Sequence, residues 1–214
     1  MLSLLPDKRG VLRLLCIGAH SDDLEIGCGG TVLELLGRQS VSVTWVVLSG
    51  AGPRGEEARA SARRFLSGAR DSQVMVEQFR DGYFPSQHAG IKDFFERLKG
   101  RIQADVILTH FGADLHQDHR LVSELTWNTF RDHLILEYEI VKYDGGLGSP
   151  NLFVPLSARN RRRKVNLLLR GFGTQRSKRW FTAETFEGIM RIRGVECNAS
   201  SGYAEAFYVR KIVI

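Results

Sequence analysis

The stretch VLRLLCIGAHSDDLEIGCGGTVLELLGRQSVSVTWVVL, Val11 to Leu48, decides the fold. Val11 to Ile17 is a short, largely apolar run closed by Gly18 and Ala19, the pattern of a strand buried on both faces. Gly29 to Leu36 has helical spacing, and Val41 to Leu48 (VSVTWVVL) is a second run rich in β-branched residues. Strand, helix and strand in that order make a crossover, so the two strands are parallel.

The same alternation continues outward. Arg54 to Leu66 is a helix with Ala58, Ala62, Phe65 and Leu66 on one stripe, and Ser72 to Phe79 is a strand. Ile91, Phe94, Phe95, Leu98 and Ile102 recur at helical spacing before the strand Asp105 to Thr109 (DVILT). A helix from Arg120 to Phe130 and a strand from Leu134 to Val141 precede a glycine-rich break at Asp144 to Ser149. The last third is less regular, with helices near Ala158 to Arg170 and Ala183 to Met190 and a strand from Ala204 to Ile214. The pattern predicts one α/β domain over residues 1–214, a mostly parallel Rossmann-resembling sheet ordered 3-2-1-4-5 with helices on both faces.

A chain of 214 residues, 43% hydrophobic and 25% charged, is neither disordered nor fibrous. At this length it needs no disulfide or metal to hold a core, so a metal here is functional. Cys16, Cys28 and Cys197 form no CxxC pair, which fits a reducing cytoplasm better than a disulfide framework. The amino terminus is broken by Pro6, Asp7, Lys8 and Arg9, so it has no signal-peptide core, and no run approaches the ~20 apolar residues of a membrane span. The net charge of +6 is local: Arg159, Arg161, Arg162, Arg163 and Lys164 supply the excess, on a helix whose Val165, Leu168, Leu169 and Phe172 make an apolar stripe. Several of these cations are expected on a solvated face.

Chemistry concentrates at two places, His20-Ser21-Asp22-Asp23 after the first strand and His116-Gln117-Asp118-His119 after the fourth. In a sheet ordered 3-2-1-4-5 the carboxyl ends of strands one and four flank the crevice where ligands bind. Two imidazoles and one carboxylate, with a position left for water, make a catalytic zinc set that His20, Asp23 and His119 can supply. The set also suits ferrous iron. Successive side chains diverge, so Asp22 is left free to take a proton from a metal-activated water. Each motif alone reads more often as a helix cap than as a metal site; their joint placement argues for a site.

GAHSDDLEIGCGGT (Gly18 to Thr31), HQDHR (His116 to Arg120) and GYAEAF (Gly202 to Phe207) together resemble the PIG-L/LmbE-like deacetylases, which remove N-acetyl groups from glucosamine-containing substrates. The resemblance implies that His20, Asp23 and His119 bind zinc, that Asp22 is the general base and that His116 stabilises the oxyanion. It implies that Asp118 orients a histidine, which we expect to be His116, raising its pKa. In RGEE, Arg54 and Glu57 match the family's RxxE, with Arg54 contacting the sugar or its anionic substituent, and Asp81 matches an acid that holds sugar hydroxyls. Ser21 and Gln117 stand where the family has prolines, which alters the loops and not the ligands.

The expected activity is therefore a zinc-dependent amidohydrolase acting on a linear amide, with an N-acetylated amino sugar or glycoconjugate as small-molecule substrate. Asp22 ranks before His116 for returning the proton to the leaving amine. The alternative is a non-catalytic domain holding nucleic acid or another anion on the basic helix; no aromatics interleave with that run, so no nucleic-acid partner is expected. A homo-oligomer is compatible with the sequence. Gly27, Gly29 and Gly30 follow the strand too late for a dinucleotide fingerprint and fit close helix packing instead. His110 reads as a partner of the site or as a core histidine, Cys28 as core, and Trp180 as core or a sugar-stacking face.

Overall fold

The computed structural model describes residues 10–213. The amino-terminal residues 1–9 and Ile214 lie outside the described chain, and with them part of the expectations for both termini. The elements are β1 (Leu12–His20), α1 (Asp23–Gly27), α2 (Gly29–Arg38), β2 (Val41–Ser49), α3 (Gly52–Phe65) and β3 (Asp71–Val76). They continue as α4 (His88–Lys99), β4 (Val106–His110), α5 (Gln117–Thr129), β5 (Leu134–Tyr138), β6 (Leu152–Pro155), α6 (Ala158–Gly171), α7 (Ala183–Glu196) and β7 (Ala204–Tyr208). One seven-stranded sheet runs β3-β2-β1-β4-β5-β7-β6. Its first five strands are parallel in the expected order, and β7 is antiparallel to both β5 and β6.

Alternation along β1 divides the core. Leu12, Leu14 and Cys16 pack with Val32, Ala58, Ala62, Val165 and Leu168, on the face covered by α2, α3 and α6. Leu15 and Ile17 point the other way, against Ile91, Phe95, Val122 and Leu125 of α4 and α5. Both faces are thus closed by apolar helix stripes, which is why the central strands read as near-continuous apolar runs. Gly27 allows α1 to lie against the sheet, since a Cβ there would overlap the Tyr138 ring.

Four expectations are corrected. The fifth strand ends at Tyr138, short of Val141. The third strand ends at Val76, with only an isolated antiparallel bridge from Ser49 to Gln78 beyond it. The last strand ends at Tyr208. The edge strand β6 was not expected; it has four residues, pairs on one side only and carries Pro155, as an edge tolerates.

The register opens the crevice. β1 pairs with β2 from Leu12↔Val41 to His20↔Ser49, but with β4 only from Leu14↔Val106 to Cys16↔Leu108. Beyond Cys16 the two strands part, and the gap is bridged by a side chain: His110 Nε2 accepts the Ala19 N–H at 3.0 Å.

Candidate active site

His20 closes β1, Asp22 and Asp23 open α1, and His119 lies in the first turn of α5, so the two central strands deliver one cluster. His20 Nδ1 is 3.2 Å from His119 Nε2 and 3.3 Å from Asp23 Oδ2, and His119 Nε2 is 3.5 Å from the same oxygen. Ligands about 2.0–2.1 Å from a tetrahedral metal are separated by about 3.3–3.4 Å. The three atoms therefore fit one divalent cation, with a tetrahedral vertex to spare.

The surroundings orient each of the three side chains. His20 Nε2 faces Asp81 Oδ1 at 3.0 Å and Asp118 Oδ2 at 3.2 Å. Burial opposes charge on His20, yet Asp23, Asp118 and Asp81 hold its pKa well above the usual value. Burial likewise opposes the Asp23 carboxylate, but His119, His110 and His20 pull its pKa well down. Asp118 is fixed by the N–H groups of Gly82 (2.7 Å) and Phe84 (3.1 Å). Gly82 presents its N–H from φ +76°, a conformation that favours glycine.

Asp118 therefore orients His20, and the expected pairing with His116 is corrected. One residue into α5, its side chain meets the 81–84 loop. His116 is the N-cap of α5, and its Nδ1 accepts the Asp118 backbone N–H at 3.2 Å. A neutral ring whose Nδ1 accepts carries its proton on Nε2. Burial, and then the neighbouring His119 and His20, lower the His116 pKa, so this neutral form is the resting one.

Asp22 lines the cavity beside the triangle, and Arg54 Nη2 donates to its Oδ1 at 2.9 Å. Among the described residues that hydrogen bond is made on Oδ1, leaving Oδ2 unengaged. Burial raises the Asp22 pKa against the pull of Arg54. Arg54, expected to meet the substrate, lines the cavity and is paired with Asp22, with Thr174 and Glu57 nearby. Asp81, expected on sugar hydroxyls, is paired with His20 while its side chain stays 73% exposed.

Asp114 belongs to the site beyond the residues expected, and His110 takes the first of its two expected roles, a partner of the site. Asp114, buried, has Oδ2 3.1 Å from His119 Nδ1 and 2.7 Å from Lys142 Nζ, and its Oδ1 accepts the His116 N–H at 2.7 Å. The signal was an acid two residues before His116, in a stretch already rich in acids. His110 stacks on His119 with ring centroids 3.9 Å apart, and burial, helped by His119, pushes its pKa down to about 3. It backs the triangle as a neutral ring. The proline substitutes keep the loops tied: Ser21 Oγ donates to the Ser49 carbonyl at 3.3 Å, and Gln117 Nε2 donates to that of Gly82. Cys28 is buried with its thiol on the Leu24 carbonyl, away from the ligand set.

The sequence family described as GlcNAc-PI de-N-acetylase matches residues 15–130, which contain every one of these site residues except Lys142 and Thr174. The chain belongs to the PIG-L family. The uncharacterized deacetylase YaiS of Escherichia coli K12 is 31% identical over 137 residues, 57% of this chain and 68% of that protein. Among solved structures, N,N'-diacetylchitobiose deacetylase from Pyrococcus horikoshii superposes with TM-score 0.67 at 19% identity, over 92% of this chain and 83% of that one. GalB, the 4-carboxy-2-hydroxymuconate hydratase from Pseudomonas putida KT2440, superposes with TM-score 0.70 at 16% identity, over 95% and 98%. At such identities the likeness is one of fold, and a fold that holds both a deacetylase and a hydratase leaves function to the site.

Proposed function

We propose that this PIG-L family protein is a metal-dependent amidohydrolase that removes the N-acetyl group from an amino sugar or glycoconjugate. The observation that carries the reading is the triangle of His20 Nδ1, Asp23 Oδ2 and His119 Nε2 beside a carboxylate with one unengaged oxygen. His20, Asp23 and His119 would hold the cation, for which zinc is the default and ferrous iron also suits. When bound there, a divalent ion supplies Lewis acidity, polarising a carbonyl and bringing the pKa of water toward about 7.

The protein's own groups do the rest. Asp22 takes the proton of the attacking water on Oδ2, while Arg54 holds Oδ1 and fixes the plane of the carboxylate. Its raised pKa makes it a stronger base than an exposed aspartate. His116 presents Nε2–H to the acetyl oxygen as charge builds there, and the amino end of α5 adds its dipole. Asp22 then returns its proton to the nitrogen as the C–N bond breaks, releasing acetate and the free amine. Asp118 and Asp81 steady His20, and Asp114 steadies His119.

Metal analysis of protein purified without added metal, together with acetate release from a panel of N-acetyl sugars, tests the reading. About one ion per chain and acetate from at least one sugar support it. Metal-replete protein that releases no acetate from any of them refutes it.

A further inference from the structure

The charge run on α6 is largely engaged within the protein. Lys164 is 1% exposed and donates to Glu205 Oε1 and the Ile26 carbonyl, both at 2.6 Å. Arg161 pairs with Glu187 at 3.1 Å and covers the Tyr203 ring, and Arg163 donates to Ser67 Oγ and the Arg64 carbonyl. Arg159 and Arg162 stay exposed as expected, while the other three cations of the run are drawn into contacts within the protein. Inside the cavity, Arg54 and Lys142 are also neutralised, by Asp22 and Asp114.

Arg176, Lys178 and Arg179 differ from all of these. They stand exposed between α6 and α7, and none forms an ion pair among the described residues. Lys178 and, two residues on, Trp180 line the same cavity as the metal triangle. The segment is a built lip. Thr174 donates to Glu57 from its N–H (2.9 Å) and its hydroxyl (2.6 Å), Gln175 is buried, and the Lys178 N–H meets the Gln175 carbonyl at 2.9 Å. On the far side the Phe181 N–H meets the Lys178 carbonyl at 3.0 Å, and the Phe181 ring is buried. Trp180 leans on Phe181 and Phe186, with centroids 5.5 and 6.3 Å away, and lines the cavity. The whole lip lies outside the family-matched residues 15–130.

We propose that Lys178 and Arg179 bind an anionic substituent, a phosphate or a carboxylate, carried by the N-acetylated sugar, with Trp180 as the face under the sugar ring. This rests on the deacetylase reading and names its substrate class. Arg54 is tied to Asp22 and cannot turn outward without releasing the base, whereas the lip cations have no competing carboxylate. A sugar whose acetamide reaches the triangle places its far side at the lip. Arg176, with Nε on the Leu169 carbonyl at 3.2 Å, adds positive potential behind them.

The test compares N-acetylglucosamine, its 6-phosphate and its 1-phosphate with N-acetylmuramic acid, which carries a carboxylate. Acetate release gives kcat/KM, and tryptophan fluorescence titration gives affinity independently of turnover. The expected preference for at least one anionic sugar over the neutral one is about tenfold or more, the sum of a few exposed contacts. It should shrink in 0.5 M salt, fall toward one in Lys178→Gln/Arg179→Gln through KM, and survive in Arg162→Gln, which removes an exposed charge elsewhere. The phosphate and carboxylate arms identify the anion. Acetate release or binding without charge preference, or a preference unchanged in the double variant, overturns the lip and leaves the deacetylase reading standing. Charge-selective binding with no acetate from any sugar would support the anion site and sink the deacetylase reading.

Discussion

Asp114→Ala should weaken metal binding more than any other substitution outside the ligand triangle. Removing this carboxyl does three things. It frees the His119 tautomer, which must carry its proton on Nδ1 for Nε2 to bind a cation, and the 3.1 Å contact with Asp114 is what selects that form. It strips Lys142, 17% exposed, of its 2.7 Å partner, leaving Asp144 at 3.6 Å and an ammonium facing the cation site. It also unties the His116 N–H at the start of α5. A carboxylate that orients a ligand histidine is worth about 10–100-fold in metal affinity, or about 1.4–2.7 kcal/mol. The stray ammonium acts in the same direction, so about 100-fold is expected for alanine. Asp114→Asn keeps an acceptor for His119 and should lose about tenfold. Adding Lys142→Met to Asp114→Ala should recover part of the loss. Competition with a chromophoric chelator at pH 7.5 measures these affinities, and thermal unfolding of the metal-free proteins controls for folding. Wild-type affinity in Asp114→Ala would refute the reasoning, and a double variant no tighter than the single would refute the Lys142 part of it.

His20→Ala, Asp23→Ala and His119→Ala should each lower the metal content from about one ion per chain, because three protein ligands leave none to spare; full retention in all three would remove the site. Asp22→Asn should keep its metal and lose about 10²- to 10⁴-fold in turnover, and near-wild-type turnover would give the proton to another group. His116→Ala should keep its metal and lose about 10²- to 10³-fold in kcat. Since the His116 pKa is lowered and its neutral form is the donor, the alkaline limb of the pH profile should be unchanged in this variant; an alkaline limb that moves would restore an imidazolium role. Glu25 lies fully buried beside Ser61, and burial pushes its pKa from 4.5 up to about 8 against that contact. The folded state then holds a proton that the unfolded chain has lost, so this contribution to stability is full below the unfolded pKa and lost as pH rises through about 8. Glu25→Gln should abolish that loss and gain as much as about 5 kcal/mol at pH 9, read by urea denaturation at pH 5 and 9; equal gains at both pH values would assign the effect to packing.

The sequence made β1, β2 and the parallel order legible because strands buried on both faces leave apolar runs that only this crossover satisfies. It hid β6, whose four residues pair on one edge, and it overran β3, β5 and β7, because an apolar run can continue after its ladder has stopped. The grouping of His20, Asp23 and His119 was legible because each half is a local motif at a strand end. Its carboxylate partners were not. Whether Asp118 serves His116 or His20 depends on where the 81–84 loop crosses α5, and Asp114 resembles any loop acid until His119 and Lys142 close on it. Lys164 likewise looks like its arginine neighbours until Glu205, far along the chain, caps Gly30 and Thr31 at 2.8 and 2.6 Å and takes its ammonium.

The charges around the triangle bear on both proposals. Asp22, Asp23, Asp81, Asp114 and Asp118 surround it, while Arg54 and Lys142 are the fixed cations paired among them. Carboxylates outnumber fixed cations, and the excess is concentrated on His20, whose pKa is held well above the usual value. In the absence of a metal that excess draws a proton onto His20; a divalent ion answers the same field and displaces it, so metal uptake should release a proton and weaken as pH falls. Lys178, which lines the cavity from the lip, and the exposed Arg179 beside it in the chain stand outside this balance. A positive charge placed deeper would compete with the cation, and the same charge placed at the mouth attracts an anionic sugar without doing so.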